Sequence, residues 1–190
     1  MAKTISATEL VSGEVRLSYV HLFTPYAANP GQDPKYSVCI LIDKNDQKTI
    51  GLIKEAVKAA AQSGAQTKWG GKIPKNLHNP LRDGDADKDL EKNPEYEGCY
   101  FINANSTRKP GLVDRRGNEI TDPEELGSGD YGKVDISFYP YSNSGNNGVA
   151  CGINNVLKTR DGERLGGTSM SAQAAFAGEF DDGDDGDDLI

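Results

Sequence analysis

The chain has 190 residues and a formal net charge of −8, and this length is enough for one domain with a hydrophobic core. The sequence contains no apolar run of about 18 residues, which argues against a membrane span. Its N-terminal segment also lacks the apolar stretch of a secretory signal. Three widely spaced cysteines (Cys39, Cys99 and Cys151) without a CxxC motif predict reduced thiols in an intracellular protein.

The negative charge is concentrated at the C-terminal end. Glu179–Ile190 holds seven acidic residues and no basic one, and the rest of the chain has 22 acidic against 21 basic residues, a net charge of −1. Such a run repels itself, so we expect a folded domain over residues 1–165 and a flexible linker with a disordered acidic tail over residues 166–190. The tail ends in two apolar residues, Leu189 and Ile190, and an apolar end of this kind is typical of a recognition peptide. If the folded domain has a phosphate-binding groove, the aspartates of the tail are candidates to occupy it in competition with nucleic acid. The predicted partner-binding tail consists of Asp181, Asp182, Asp184, Asp185, Asp187, Asp188, Leu189 and Ile190.

Two strands are predicted in the first part of the chain. Glu14–Phe23 alternates apolar and polar residues, and the alternation slips at Tyr19–His21, which predicts a β-bulge or bend there. Lys35–Asp43 has a continuous apolar centre, which indicates burial on both faces of the strand. The segment between the two strands contains three prolines and is expected to be a loop.

Asp46–Ser63 is predicted to be a helix, because its apolar residues recur at helical spacing. Asp43 or Asn45 is the expected N-cap, and Gly64 is expected to end the helix.

Gln66–Gly98 is polar and rich in glycine and proline, and we expect it to be a long loop. Loops of this length are unusual in compact domains and are often functional. The only tryptophan, Trp69, lies here between lysines, so one interpretation is a flexible basic and aromatic arm with Lys72 and Lys75 as further contacts. The alternative is a tryptophan that packs into the core.

Two basic turns follow a third predicted strand, Gly98–Asn105. The first turn holds Arg108 and Lys109, and the second holds Arg115 and Arg116. Solvated turns are the ordinary explanation for such charges. Clustering on two neighbouring loops nevertheless favours contact with phosphate groups.

Tyr131–Val156 predicts two strands joined by a turn of serine, asparagine and glycine. If the apolar positions face the core, the other face carries Lys133 and Tyr139 beside small residues. Tyr141 is a further candidate, although Pro140 can break the alternation there. A cationic, aromatic and shallow surface suits unpaired bases, whereas an ordinary hairpin with tyrosines packed at its edge is the alternative.

The sequence contains no complete motif for catalysis or metal binding. Gly127–Val134 matches the glycine loop of protein kinases, but the other kinase motifs are absent from the sequence. The only histidines, His21 and His78, have no partners at the spacing of a zinc site. We therefore expect no catalytic residues, no metal and no cofactor.

About five strands and one helix, joined by long loops, fit a mainly β domain, an OB-fold-like five-stranded antiparallel barrel. Several segments also resemble a known family, the single-stranded-DNA-binding proteins encoded by bacteriophages: Ser106–Asp114, Ser128–Tyr141, Gly148–Val156 and Asp181–Ile190. The resemblance extends over Val11–Leu165 plus the tail. It implies an OB fold, sequence-tolerant binding of single strands, and a tail that recruits replication or recombination proteins in the cytoplasm of an infected bacterium.

We therefore expect a protein that coats and protects single-stranded DNA in phage DNA replication or recombination, without catalysis. A homodimer is a candidate assembly. Two alternatives from other classes are a small magnesium-dependent nuclease built on Asp83, Asp85 and Asp87, and a phage structural or adaptor protein that does not bind DNA. The expected nucleic-acid contacts are Trp69, Lys72, Lys75, Arg108, Lys109, Arg115, Arg116, Lys133, Tyr139 and Tyr141.

Overall fold

The computed structural model describes residues 1–165 of the chain. Five long strands carry the fold of this region, and four short strands and three helical segments complete it. The strands are β1 (Lys3–Thr4), β2 (Glu9–Val11), β3 (Val15–Tyr26), β4 (Lys35–Asp43), β5 (Arg82–Asp83), β6 (Cys99–Ser106), β7 (Gly111–Val113), β8 (Tyr131–Asn143) and β9 (Asn146–Arg160). The helices are α1 (Gln47–Thr67), α2 (Gly84–Asp87) and a 3-10 turn at Pro94–Tyr96.

The five long strands close into a barrel. β3 pairs with β4, β4 with β6 and β6 with β9, while β8 pairs with both β9 and β3. This confirms the prediction of an OB-fold-like five-stranded barrel. One pairing departs from the antiparallel expectation, since β6 and β9 run parallel with Ala104 opposite Cys151. The reason is parity: a closed ring with an odd number of strands cannot pair antiparallel at every step.

Strand β4 is buried on both faces, as its apolar run predicts. Val38 and Ile40 lie in the main core inside the barrel. Cys39 and Leu41 point to the opposite face, where they pack in a second cluster with Tyr96 and are each 2% exposed.

Helix α1 is capped by a different residue from those expected. The side chain of Asp46 accepts a hydrogen bond from the backbone N–H of Thr49 at 3.1 Å, so Asp46 is the N-cap. Asp43 instead accepts from the backbone N–H of Asn45 at 2.8 Å, in the turn before the helix.

The helix also continues past Gly64, contrary to the prediction, and reaches Thr67. A Cβ atom at Gly64 would lie 2.6 Å from Pro140 Cβ and 2.6 Å from the ring of Trp69. The glycine is therefore required by close packing, and its backbone remains helical. The helix ends where the N–H groups of Lys68 and Trp69 both donate to the Gly64 carbonyl, at 2.8 and 3.0 Å.

Residues 66–98 contain β5, α2 and the 3-10 turn, so the prediction of one long loop was wrong. β5 pairs with β6 through Arg82 opposite Phe101, and the buried Tyr96 anchors the 3-10 turn. Contacts with the second apolar cluster give this segment its order. It covers one half of the outer face of β4 and β6 and leaves the other half open.

The three cysteines of the chain are free thiols within residues 1–165. Cys39 and Cys151 are buried, and Cys99 is partly exposed. Burial raises the pKa of Cys39 to about 11. In the part of the chain that the structure describes, no helix is long and apolar enough to cross a membrane.

Candidate nucleic-acid interface

The open half of the outer face of β4 and β6 forms a cleft of about 560 Å³. Strand β3 and the loop after it form one wall, and polar side chains of β4 and β6 form the floor. We call this the aromatic cleft. Its lining includes Tyr19, His21, Tyr26, Lys35, Ser37, Asn103 and Asn105.

A bulge in β3 shapes the aromatic cleft. The pairing of β3 with β4 shifts register between Ser18 and His21, and Tyr19 has a φ of 47°, so the predicted bulge is confirmed. The bulge turns Tyr19 outward and leaves 58% of it exposed. The N–H of Val20 donates to the hydroxyl of Ser128 at 3.0 Å, which fixes the bulge from a neighbouring loop. Positive φ values are uncommon for residues other than glycine, and such strain concentrates at functional sites.

Two rings of the same wall are already stacked. The centroids of His21 and Tyr26 lie 4.1 Å apart and their planes differ by 7°. Burial lowers the pKa of His21, which favours the neutral imidazole at physiological pH. Tyr26 is 51% exposed, so this stack presents a flat apolar surface to solvent.

Tyr139 of the predicted hairpin lies on the same outer surface. Gly152 of β9 pairs with Ser137 of β8 on one side and with Asn105 of β6 on the other. A Cβ atom at Gly152 would lie 3.7 Å from Tyr139 Cε1 and 3.7 Å from the Asn105 carbonyl oxygen. A floor without side chains therefore joins Tyr139, which is 44% exposed, to the aromatic cleft.

The first basic turn lies beside the aromatic cleft. Arg108 and Lys109 follow the last residues of β6, and both are exposed. The Lys109 ammonium lies 5.8 Å from the ring centre of Phe23 on β3. The turn therefore stands at the end of the cleft where β3 and β6 finish.

Three further predicted contacts, Arg115, Arg116 and Lys133, lie on a separate surface. Arg115 and Lys133 line a second cleft with Arg160 and Glu14, at the opposite end of β8 from Tyr139. Arg116 is exposed in the same turn as Arg115. The structure thus divides the predicted phosphate contacts between two places.

Trp69 and Tyr141 pack around the base of the hairpin. The indole N–H of Trp69 donates to the Tyr141 carbonyl at 3.3 Å, and its ring lies against Gly64. Both side chains are partly buried, and core packing is favoured for Trp69. The pairing of β8 with β9 is unbroken from Tyr139 to Tyr141, so Tyr141 lies on the same face of β8 as Tyr139, where its hydroxyl group approaches Gly148. Lys72 and Lys75 are exposed in the loop after α1.

The predicted tail, Asp181–Ile190, lies outside the described residues. The last described residue, Leu165, donates its N–H to the Ser128 carbonyl at 3.1 Å. Leu165 and Tyr19 also line one cavity of about 430 Å³. The chain therefore leaves the described domain next to the bulge of the aromatic cleft.

The carboxylates of the nuclease alternative are engaged in ion pairs. Lys44 Nζ lies 2.7 Å from Asp83 and 2.6 Å from Asp85, and Arg82 Nε lies 3.2 Å from Asp87. Hydrogen bonds from Lys44 lower the pKa of both Asp83 and Asp85. Within residues 1–165 no group of three or more His, Cys, Asp or Glu side chains is placed to hold a metal ion. The described structure does not favour a metal-dependent nuclease.

Sequence reasoning missed Tyr19, His21 and Tyr26 as candidate contacts. The break in alternation at Tyr19 was visible in the sequence, but it does not reveal which way the bulge turns the ring. The stacking of His21 on Tyr26 depends on a second register shift between these two residues, and we find no sequence signal for it.

Comparison with known proteins agrees with this architecture. A family model described as the ssDNA-binding protein of Enterobacter phage Enc34 matches residues 8–190. A protein called p50 from Acyrthosiphon pisum secondary endosymbiont phage 1 is 29% identical over 178 residues, which are 88% of this chain and 90% of that protein.

Solved structures give the same result. The single-stranded DNA-binding protein from bacteriophage Enc34 in complex with ssDNA is 25% identical, with a TM-score of 0.72 over 86% of this chain and 96% of that one. The single-stranded DNA-binding protein gp2.5 of bacteriophage T7 is 17% identical, with a TM-score of 0.60 over 84% of this chain and 98% of that one. The likeness to gp2.5 concerns the fold alone.

The family model covers nearly the whole chain, including the segments that carry the resemblance in sequence. The match places the chain among DNA-binding proteins and not among enzymes. The chain belongs to the family of phage single-stranded-DNA-binding proteins represented by the protein of Enterobacter phage Enc34.

Proposed function

We propose that this protein binds single-stranded DNA without sequence preference across the outer face of its barrel. The observation that carries the proposal is the set of exposed aromatic rings on one continuous surface: Tyr19, the stack of His21 on Tyr26, and Tyr139. Bases stack on such rings whatever their identity, because every base has a π-face. In OB folds the corresponding face of the second and third strands binds oligonucleotides.

The phosphate contacts of the aromatic cleft would come from its basic rim. Lys35 lines the cleft beside one acidic residue, Asp33. Arg108 and Lys109 are exposed just after β6, with the Lys109 ammonium 5.8 Å from the ring centre of Phe23. Asn103 and Asn105 on the floor can exchange hydrogen bonds with any base edge, since an amide both donates and accepts. Membership of the phage family supports this assignment.

The protein would coat and protect single strands during phage DNA replication or recombination, in the cytoplasm of the infected bacterium. We further propose that the acidic tail competes with DNA for the aromatic cleft and recruits partner proteins. Support comes from the position of Leu165, which is bonded to the loop that fixes the Tyr19 bulge. The chain thus leaves the described region at the lip of the aromatic cleft, and the segment with seven acidic residues, Glu179–Ile190, follows after 13 further residues of sequence.

One titration tests the binding and the role of the tail together. Labelled oligo-dT is added to the full-length protein and to a variant that lacks residues 179–190, at about 50 and 200 mM salt. We expect both proteins to bind, affinity to fall steeply with salt because binding releases counterions, and the deletion to tighten binding most at low salt. Unchanged or weaker binding after the deletion would show that the tail does not compete, whereas absence of any affinity at low salt would exclude DNA binding and favour an adaptor protein.

Paired substitutions at Tyr139 test the stacking surface. Tyr139→Ala removes the ring and should weaken oligo-dT binding by about 1–3 kcal/mol, whereas Tyr139→Phe keeps the ring and should bind normally. Equal losses in the two variants would assign the effect to the hydroxyl group, and no loss in either would remove Tyr139 from the interface.

A further inference from the structure

A second cleft, of about 390 Å³, lies on the outer face of β8 and β9. Its one carboxylate is already engaged: Glu14 accepts from Thr159 Oγ1 at 2.7 Å and from Arg160 Nε at 3.0 Å. Arg115 and Lys133 line the same cleft, and neither forms an ion pair with another residue of 1–165. The cleft therefore has a net positive charge contributed by these two side chains. We call it the basic cleft.

Further cations lie next to Lys133. The α-amine of Met1 is close enough to Lys133 that hydrogen bonding and repulsion from this lysine lower the pKa of the amine. Lys48 Nζ lies 3.8 Å from the Met1 sulfur. The carboxylate of Asp46 acts on this amine in the opposite direction and raises its pKa. The cations next to Lys133 are therefore partly balanced, and the positive charge available to an anion in the basic cleft comes from Arg115 and Lys133.

The basic cleft is joined to the aromatic cleft by β7. This strand runs parallel to β9, with Gly111 opposite Asn155 and Val113 opposite Leu157. The basic turn at Arg108–Lys109 directly precedes β7 and the turn at Arg115–Arg116 follows it. The strand separates the two turns by about 10 Å, given a rise of about 3.3 Å per residue.

The surface along β8 offers a less favourable route between the two clefts. Asp135 lies between Tyr139 and Lys133 on the same face of β8, with Glu9 of β2 beside it. Burial and the neighbouring Asp135 raise the pKa of Glu9, as expected for two carboxylates held close together. Phosphate groups would be repelled there. Asn155 of β9 lies between Asp135 of β8 and Gly111 of β7, and its side-chain amide donates to Asp135 Oδ2 at 2.8 Å, so the seam between β7 and β9 is shielded in part from this carboxylate by an uncharged side chain.

We propose that bound single-stranded DNA continues from the aromatic cleft along the seam between β7 and β9, and that Arg115 and Lys133 form a second phosphate-binding cleft at its end. This inference rests on the proposed function and extends it. It predicts a binding site in two parts, of which only the first stacks bases. A short strand would occupy the aromatic cleft alone, and a longer strand would reach both.

The test compares two lengths of oligo-dT, about 5 and about 16 nucleotides, chosen near the limits of OB-fold site sizes. The full-length protein carries Arg115→Gln and Lys133→Gln together, and affinity is measured over a series of salt concentrations. Each lost contact with a single strand lowers the slope of log K against log[salt] by about 0.7. We expect the slope for the long strand to fall by about 1.4, and the affinity for the short strand to stay unchanged.

A matched double variant, Lys54→Gln with Lys58→Gln, removes the same charge from exposed positions of α1 and should leave both slopes unchanged. If the double variant Arg115→Gln with Lys133→Gln lost the same affinity for both lengths of oligo-dT, the effect would be one of general electrostatics and the proposal would be overturned. An unchanged salt slope with the long oligonucleotide would also overturn it. Tighter binding of the long strand would also overturn it, by showing that the basic cleft holds an acidic segment of protein. If the unsubstituted protein binds neither strand, the proposed function itself fails, and that outcome is separate from all of these.

Discussion

Gly152 offers a test of the DNA path that leaves the binding side chains untouched. It lies between Tyr139 and Asn105 on the outer face, and its backbone does not need a glycine, since φ is not positive there. A Cβ atom would have its nearest neighbours at 3.7, 3.7 and 3.8 Å, which is ordinary van der Waals contact. A side chain at this position would rise from the floor instead of clashing with the barrel.

The size of the effect follows from what the added side chain displaces. Leucine at position 152 would occupy the space beside the Tyr139 ring where a stacked base would lie. Loss of one stacked base costs about 1–3 kcal/mol, so Gly152→Leu should weaken oligo-dT binding by about 5- to 150-fold. Gly152→Ala adds only one methyl group and should bind within about twofold of the unsubstituted protein. It should also be more stable by about 0.5–1 kcal/mol, because glycine is disfavoured inside strands.

Fluorescence anisotropy with labelled oligo-dT measures the binding, and thermal unfolding checks that each variant is folded. A folded Gly152→Leu protein with normal affinity would show that DNA does not cross this floor. A loss in Gly152→Ala as large as that in Gly152→Leu would show that the effect is not steric. Either result refutes the continuous surface from Tyr139 to the aromatic cleft.

Three further predictions concern stability and reactivity. Gly64→Ala should destabilise the protein by about 1–3 kcal/mol through overpacking against Trp69, although alanine is the better helix former. Chemical denaturation measures the change in the free energy of unfolding. A gain in stability would contradict the packing argument. Glu9→Gln should raise the melting temperature at pH 7 but not at pH 4, because burial and the neighbouring Asp135 raise the folded-state pKa of Glu9 and the resulting cost disappears once this carboxyl is protonated. Equal changes at both pH values would show that the charge of Glu9 is not the cause. Cys39, with its pKa raised to about 11 by burial, should react with a thiol reagent at pH 8 only on unfolding, and rapid labelling in the native protein would contradict its burial.

Much of the barrel could be predicted from local patterns. The continuous apolar centre of β4 indicated burial on both faces, and the structure supplies a separate cluster for each. The slip in β3 indicated the bulge at Tyr19. The helix boundaries were less accurate, because Gly64 is a packing requirement imposed by Pro140, which lies far away in sequence, and no local rule distinguishes it from a helix stop.

The candidate site was less accessible to sequence reasoning, because it depends on contacts across strands. The exposure of Tyr139 could be predicted, since its alternation with the core residues of β8 is local, and its contact with DNA stays a prediction. The floor beside Tyr139 exists only because Asn105 comes alongside Gly152 in the parallel pairing of β6 and β9. That pairing is a consequence of closing five strands into one ring.

The basic turns show how sequence proximity can mislead about a surface. Lys109 and Arg115 are near neighbours in sequence, and a compact loop would place them in one patch. The chain between them instead forms β7, an extended strand that pairs with β9, so Lys109 stands beside Phe23 while Arg115 reaches the cleft of Lys133. A variant that neutralised both turns at once would merge the effects of two surfaces. Only separate substitution, with short and long strands, can assign each cation to the part of the DNA that it contacts.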